Sequence, residues 1–268
     1  MLQVPIFPEI HHKIDPEGFT ATELLSVLSS RLLTDGQIVF AGVGIPLLSV
    51  GLAQRINCPG LTILFEGGAL GPYLNPSRLP TSPNEQRSAE RANMVMGITD
   101  VMLLLQRGYV DVGFMGGAQI DQYGNLNSSF IGDPESPRIR LPGSGGGNDI
   151  ASLTQLIVAM KHERRRFVEK VAFVTSPGFL NGGSDRERRG LLAGGMYRVV
   201  TNLAIMSFDR TTREIKVDSL CAGVTPEEIR DNTGFDIRID DCVGLLPAPT
   251  AQELEILRNL DPDQMYTA

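Results

Sequence analysis

Apolar residues along this chain fall into two kinds of run. Gln37–Ala41, Leu61–Phe65, Val112–Met115 and Val171–Thr175 are short and nearly continuous. Brief runs of that kind read as parallel strands buried on both faces. The longer runs predict helices. Thr20-Ala21-Thr22-Glu23 is a capping box opening a helix to about Leu33. Pro46 suits the first turn of a helix running to about Arg55. Thr99–Gln106 reads as helical, and Gly143–Asp149 opens a helix through about His162. Thr225-Pro226-Glu227-Glu228 starts a short helix, and Thr250–Leu260 forms the last one. Val199–Phe208 and Glu214–Leu220 read as strands with a turn at Asp209-Arg210. Strands alternating with helices predict an α/β fold: an open, mostly parallel sheet flanked by helices, with an additional antiparallel strand pair near the C-terminus. Residues 1–19, with Pro5, Pro8 and Pro16, read as an arm, and 20–268 as one domain. Residues 71–93 are polar and Pro-rich, an irregular excursion of a kind that is often functional.

Composition narrows the function. A net charge of -7 disfavours nucleic-acid and membrane-surface roles, which need positive potential. Cys58, Cys221 and Cys242 lack CxxC spacing, which disfavours a disulfide framework or a zinc site. No His, Cys, Asp and Glu spacing suggests any metal. A reducing cytoplasm is the compartment expected. Met1–Ile14 lacks the basic start and apolar core of a signal peptide. No apolar stretch reaches the roughly 18 residues of a membrane span.

The 29 glycines change the picture most, because they cluster where strands end and backbone can approach a ligand closely. Glu66 ends the Leu61–Phe65 run, and Gly67 and Gly68 follow it. A carboxylate at a strand's C-terminal end faces the cleft region of an open α/β sheet. Gly42-Val43-Gly44 invites a dinucleotide reading, with Glu66 near the ribose-binding position, but Leu47 stands where the third glycine belongs. Gly143–Asp149 offers backbone N–H groups for an anion or a developing oxyanion, or else forms a tight turn. A nucleophile elbow fails at Ser144, because Pro142 precedes it where glycine is required. His11 and His12 fall in the arm, and His162 reads as part of a charged helix end. Arg186, Arg188 and Arg189 read as a surface loop or subunit contact, and Tyr123 and Asn125 as turn chemistry or site.

Several segments together resemble one family. They are Phe65-Glu66-Gly67-Gly68, Gly116–Asp121 with Tyr123-Gly124-Asn125, and Gly143–Asn148. Met160–Phe167, Val174–Gly178 and Asp231–Asp236 continue the series. In this order they are similar to the β-type chain of family I coenzyme A-transferases, most closely the glutaconate type, over roughly residues 20–262. The resemblance implies that Glu66 is the nucleophile of a ping-pong exchange of CoA between an acyl-CoA and a free (di)carboxylic acid. It implies an oxyanion and thioester site at Gly145, Gly146 and Gly147, and a cleft lined by Gly42, Gly44, Gly67 and Gly68. It further implies a CoA-transferase α-type chain (the A component) as partner, coenzyme A only as a substrate moiety, and no permanently bound cofactor. Decarboxylases and hydrolases of CoA thioesters share the scaffold and form the alternative reading. Two departures stand out. Gly67 replaces the family's Ser or Asn, and Ala69–Tyr73 is more similar to the oxoacid enzymes.

Overall fold

The computed structural model describes residues 18–76 and 78–267, without the side chains of Asp241 and Cys242. Most of the expected N-terminal arm, with His11 and His12, lies outside the described residues. Ten strands make one sheet. They are β1 (Ile38–Ala41), β2 (Thr62–Leu64), β3 (Ala69–Leu70), β4 (Met94–Val95) and β5 (Val112–Met115), then β6 (Gln155–Ala159), β7 (Gly195–Val200), β8 (Ala204–Phe208), β9 (Ile215–Cys221) and β10 (Arg238–Leu246). Their spatial order is β10-β9-β8-β7-β6-β5-β1-β2-β3-β4. The middle five, β2-β1-β5-β6-β7, are all parallel. Antiparallel partners extend the sheet at both ends, β3 and β4 beyond β2, β8 and β9 beyond β7.

The helices are α1 (Ala21–Ser30), α2 (Ile45–Ile56), α3 (Ile98–Gln106), α4 (Gly147–Leu153), α5 (Asp185–Arg188), α6 (Pro226–Asp231) and α7 (Ala251–Leu260). They cover both faces of the sheet. Val39, Ala41, Ile63 and Ile157 pack with α1, α2 and α7 in one core, while Phe40, Leu64, Leu156 and Val158 pack with α3 and α4 in the other. Neighbouring strand residues point to opposite faces, so a continuous apolar run is what a sheet buried on both sides requires.

Two capping boxes lock α1 to α7. Glu23 closes the N-terminus of α1 and accepts from Arg258 of α7 at 2.7 Å. Glu253 closes the N-terminus of α7 and accepts from Arg31 at 2.7 Å. Each acid thus satisfies its own helix start and meets a cation from the other helix.

Two expectations need correction. The helix expected from Gly143 through His162 is a short α4 followed by strand β6. Leu156-Ile157-Val158-Ala159 is another continuous buried run, and its place between β5 and β7 outweighs the helical reading. Val171–Thr175 is not a strand; the N–H of Thr175 donates to the Leu126 carbonyl at 2.8 Å, and only Ser176 forms an isolated bridge.

Candidate active site

The strand order reverses at β1, with β2 added on one side and β5 on the other. Chains leaving the C-terminal ends of these strands diverge to opposite faces, which opens a crevice there. A cavity of about 390 Å3 occupies that place. It is lined by the ends of β1 (Phe40–Gly42), β5 (Phe114, Met115) and β6 (Ala159), by Glu66, and by Ser144, Gly146 and Gly147.

Glu66 sits in a turn of four residues. The Gly68 N–H donates to the Phe65 carbonyl at 3.0 Å, and the Phe65 N–H to the Ala69 carbonyl at 2.9 Å. Phe65 is fully buried, so the turn is anchored in the core, while Glu66 is half-buried and its carboxylate reaches the cavity. Oε1 accepts the backbone N–H of Gly146 at 3.0 Å. Gly68 has φ +107, and a Cβ there would lie 1.9 Å from the Met96 carbonyl oxygen. No side chain fits that place, so Gly68 fixes the turn that presents Glu66.

The glycines expected at the site divide by what they do. Gly42, Gly146 and Gly147 line the cavity with Glu66. A Cβ on Gly42 would meet nothing within 4 Å, whereas one on Gly146 would press on Glu66 Oε1 at 3.0 Å. Gly145 (φ +49) turns the chain beside the carboxylate without lining the cavity. Gly44, φ +80, is the N-cap that starts α2. Gly67 and Gly68 shape the turn itself and do not line the cavity. The Gly147 N–H is engaged with the Ser144 carbonyl at 2.8 Å, so in this conformation Gly146 supplies the donor to Glu66.

Other motif residues form scaffolding. Asp121 is 2% exposed, and its carboxylate accepts the N–H groups of Tyr123 and Asn125 at 3.0 Å. Asn125 Oδ1 in turn accepts from Gly178 at 2.9 Å and Leu180 at 3.1 Å. Burial pushes the Asp121 carboxyl up, against these hydrogen bonds that favour the charged form. The knot joins the Gly116–Asn125 loop to the Val174–Gly178 segment. Arg186, expected at the surface, is 2% exposed. It donates to five carbonyls: Pro177, Gly178, Ala151, Ser152 and Ala193. Two of these, Ala151 and Ser152, belong to α4, whose first residue is Gly147. Arg188 and Arg189 do stand outside and pair with Asp185. The sequence offers no signal that separates these three arginines. His162, expected at a charged helix end, is buried between Thr201 and Thr233 and stacked on Phe167. Burial pushes it down to about 4. Lys161 and Arg164–Arg166 do not line the cavity.

Among the described residues, no group of three or more His, Cys, Asp and Glu is placed to hold a metal. None of the described helices is long and apolar enough to cross a membrane.

Residues 22–232 match the family described as Coenzyme A transferase. The chain is 38% identical to the β-type chain of the 3-oxoadipate CoA-transferase of Pseudomonas knackmussii, covering 91% of this chain and 94% of that one. It is 34% identical to the β-type chain of the glutaconate CoA-transferase of Acidaminococcus fermentans, covering 94% of this chain and 96% of that one. The crystal structure of glutaconate coenzyme A-transferase from the same organism superposes with a TM-score of 0.87 at 33% identity, over 93% of this chain and 98% of that one.

Proposed function

This chain belongs to the coenzyme A transferase family, and from that premise we propose that Glu66 is its nucleophile. The carboxylate attacks the thioester carbonyl of an acyl-CoA and expels the CoA thiolate, leaving a mixed anhydride. The thiolate then attacks the glutamyl carbonyl, releasing the acyl group as a free carboxylate and leaving a Glu66–CoA thioester. A second carboxylate reverses both steps and regenerates Glu66. Each bond made resembles the bond broken, so no external energy source is required. The observation that carries this reading is the Gly146 N–H on Glu66 Oε1 at 3.0 Å, beside an apolar cavity.

That contact also assigns the donor a task. When the glutamyl carbonyl is attacked, its oxygen becomes the oxyanion while it already faces Gly146. A donor so placed is worth about 3–4 kcal/mol. The walls Phe40, Ile45, Phe114 and Met115 offer water few polar partners beside the activated glutamyl group, which hydrolyses where water reaches it.

The relatives named for 3-oxoadipate and glutaconate support a short dicarboxylic or oxo acid as the acyl group. Among the described residues, the cavity lining contains no Lys or Arg. A distal carboxylate, and the CoA phosphates, therefore call for cations from outside this cavity. Both relatives are named as one of two unlike chains of their enzymes, the β-type one, which supports an α-type partner chain completing the site. The edge strand β4 is suited to such cover. Val95 is 65% exposed and Met94 53%, and they adjoin the Met96 carbonyl that packs on Gly68. Exposed apolar sheet edges are normally covered.

The test is mass spectrometry of the complex co-purified with its partner, after acyl-CoA and then borohydride. Reduction confined to Glu66 is expected. Release of CO2, or of CoA with no acceptor acid present, would instead establish the decarboxylase or hydrolase reading.

A further inference from the structure

The excursion after β3 returns to the catalytic turn, and Gly67 is where it arrives. Pro83 lines the cavity together with Glu66. A Cβ on Gly67 would stand 2.6 Å from the Pro83 carbonyl oxygen and 2.9 Å from Asn84 Cα. Both are backbone atoms, so no change of rotamer relieves the overlap. Unlike Gly68, Gly67 does not have positive φ. Glycine is needed there for room, not for backbone conformation.

The segment is clamped from its far side. Ser88 Oγ donates to the Pro83 carbonyl at 3.1 Å, and Arg87 pairs with Glu85 at 2.9 Å. The Tyr266 hydroxyl donates to the Pro80 carbonyl. Tyr266 is itself fixed by Asp261, whose carboxylate accepts the N–H groups of Met265, Tyr266 and Thr267 at 2.9, 2.9 and 3.0 Å. A C-terminal residue thus holds one end of the loop, and a bare glycine admits its middle to the site.

We propose that Pro80–Ser88 is the wall that limits how large an acyl group reaches Glu66, with Gly67 and Tyr266 as the positioning residues that set its distance. The proposal rests on Glu66 being the nucleophile. It assigns this cavity to compact, straight-chain acyl groups. A side chain at position 67 would have to push this wall away from Glu66.

The experiment uses the complex with its partner chain, as the parent, Gly67→Ser and Tyr266→Phe. Each is charged as the glutamyl-CoA form and discharged with acetate, butyrate, hexanoate, succinate, glutarate or adipate. Gly67→Ser is expected to raise the hexanoate-to-butyrate and adipate-to-succinate rate ratios about tenfold, the size of effect one methylene has in an apolar pocket. Tyr266→Phe is expected to move the same ratios in the same direction by less. Unchanged acid ranking in both variants, with charging intact, overturns the proposal. If Gly67→Ser does not fold, Tyr266→Phe leaves the Glu66 turn untouched and decides alone. A parent complex that never charges overturns the reading of Glu66 instead, and the wall's role with it.

Discussion

Glu66 and Arg186 are charged side chains placed beside glycine turns, Glu66 past the C-terminal end of a parallel strand and Arg186 against the segments that enter β6 and β7, and the fold treats them in opposite ways. Arg186 is 2% exposed and gives its two terminal nitrogens to five carbonyls. Glu66 is half-buried, faces a cavity, and receives one N–H from Gly146. A carboxylate has about four acceptor sites, so most of its capacity is unspent. Arg186 commits both terminal nitrogens to holding segments together, with only its buried Nε unpartnered; Glu66 keeps most of its acceptor sites open toward the cavity.

The largest effect should come from Glu66→Gln, which keeps the volume and removes the proposed nucleophile. Transfer is expected to fall on the order of 10^4-fold or more, with no borohydride-trapped product. The melting temperature of the complex should stay close to that of the parent. A variant that lost stability along with activity would break the comparison, since Glu66 would then be structural too.

Arg186→Ala tests the other side. It leaves the carbonyls of Pro177, Gly178, Ala151, Ser152 and Ala193 without their donor. Buried groups left unsatisfied cost about 1–3 kcal/mol each, and water entry recovers part of that. A loss of roughly 4 kcal/mol or more is expected in urea unfolding. Stability equal to the parent's would show that the five bonds hold nothing. Arg188, two residues on, has a side chain 65% exposed and only exposed contacts to lose, the pair with Asp185 and a hydrogen bond to Ser184 Oγ.

His162 gives the smallest effect and a pH signature. Thr201 Oγ1 lies 3.2 Å from Nδ1 and Thr233 Oγ1 3.1 Å from Nε2, so each ring nitrogen faces a threonine hydroxyl. Burial lowers the folded pKa to about 4, against about 6.5 in the unfolded chain. Between those values the unfolded state binds more protons, so stability rises with pH. The contribution is fully present above about 6.5 and is lost as pH falls through about 4, amounting to roughly 3 kcal/mol. His162→Gln should flatten that part of the stability curve. An identical slope in parent and variant would place the acid sensitivity elsewhere.

Much of the scaffold was legible in the residues. The runs at β1, β2 and β5 are continuous because both faces of those strands are covered, and the Thr20 box marks its helix start by local bonding alone. Other elements were not. Leu156–Ala159 carries the same apolar signal whether helix or strand, and only the gap between β5 and β7 selects the strand. Glu66 was legible as a candidate because a carboxylate among glycines at a strand end is rare chemistry in an apolar setting. The burial of Arg186 was not, since its partners are all backbone carbonyls, which every sequence has.

The sequence alone therefore determined the α/β class, the strands β1, β2 and β5, the capped start of α1 and the strand-end position of Glu66. Each of those depends on the spacing and type of neighbouring residues. Only the tertiary structure decided which glycine does what. Gly146 aims a donor at Glu66, Gly68 makes the turn, and Gly67 admits Pro83. The reason is that a glycine is defined by what approaches it, and Gly146, Met96 and Pro83 reach the Glu66 turn from segments distant in the chain.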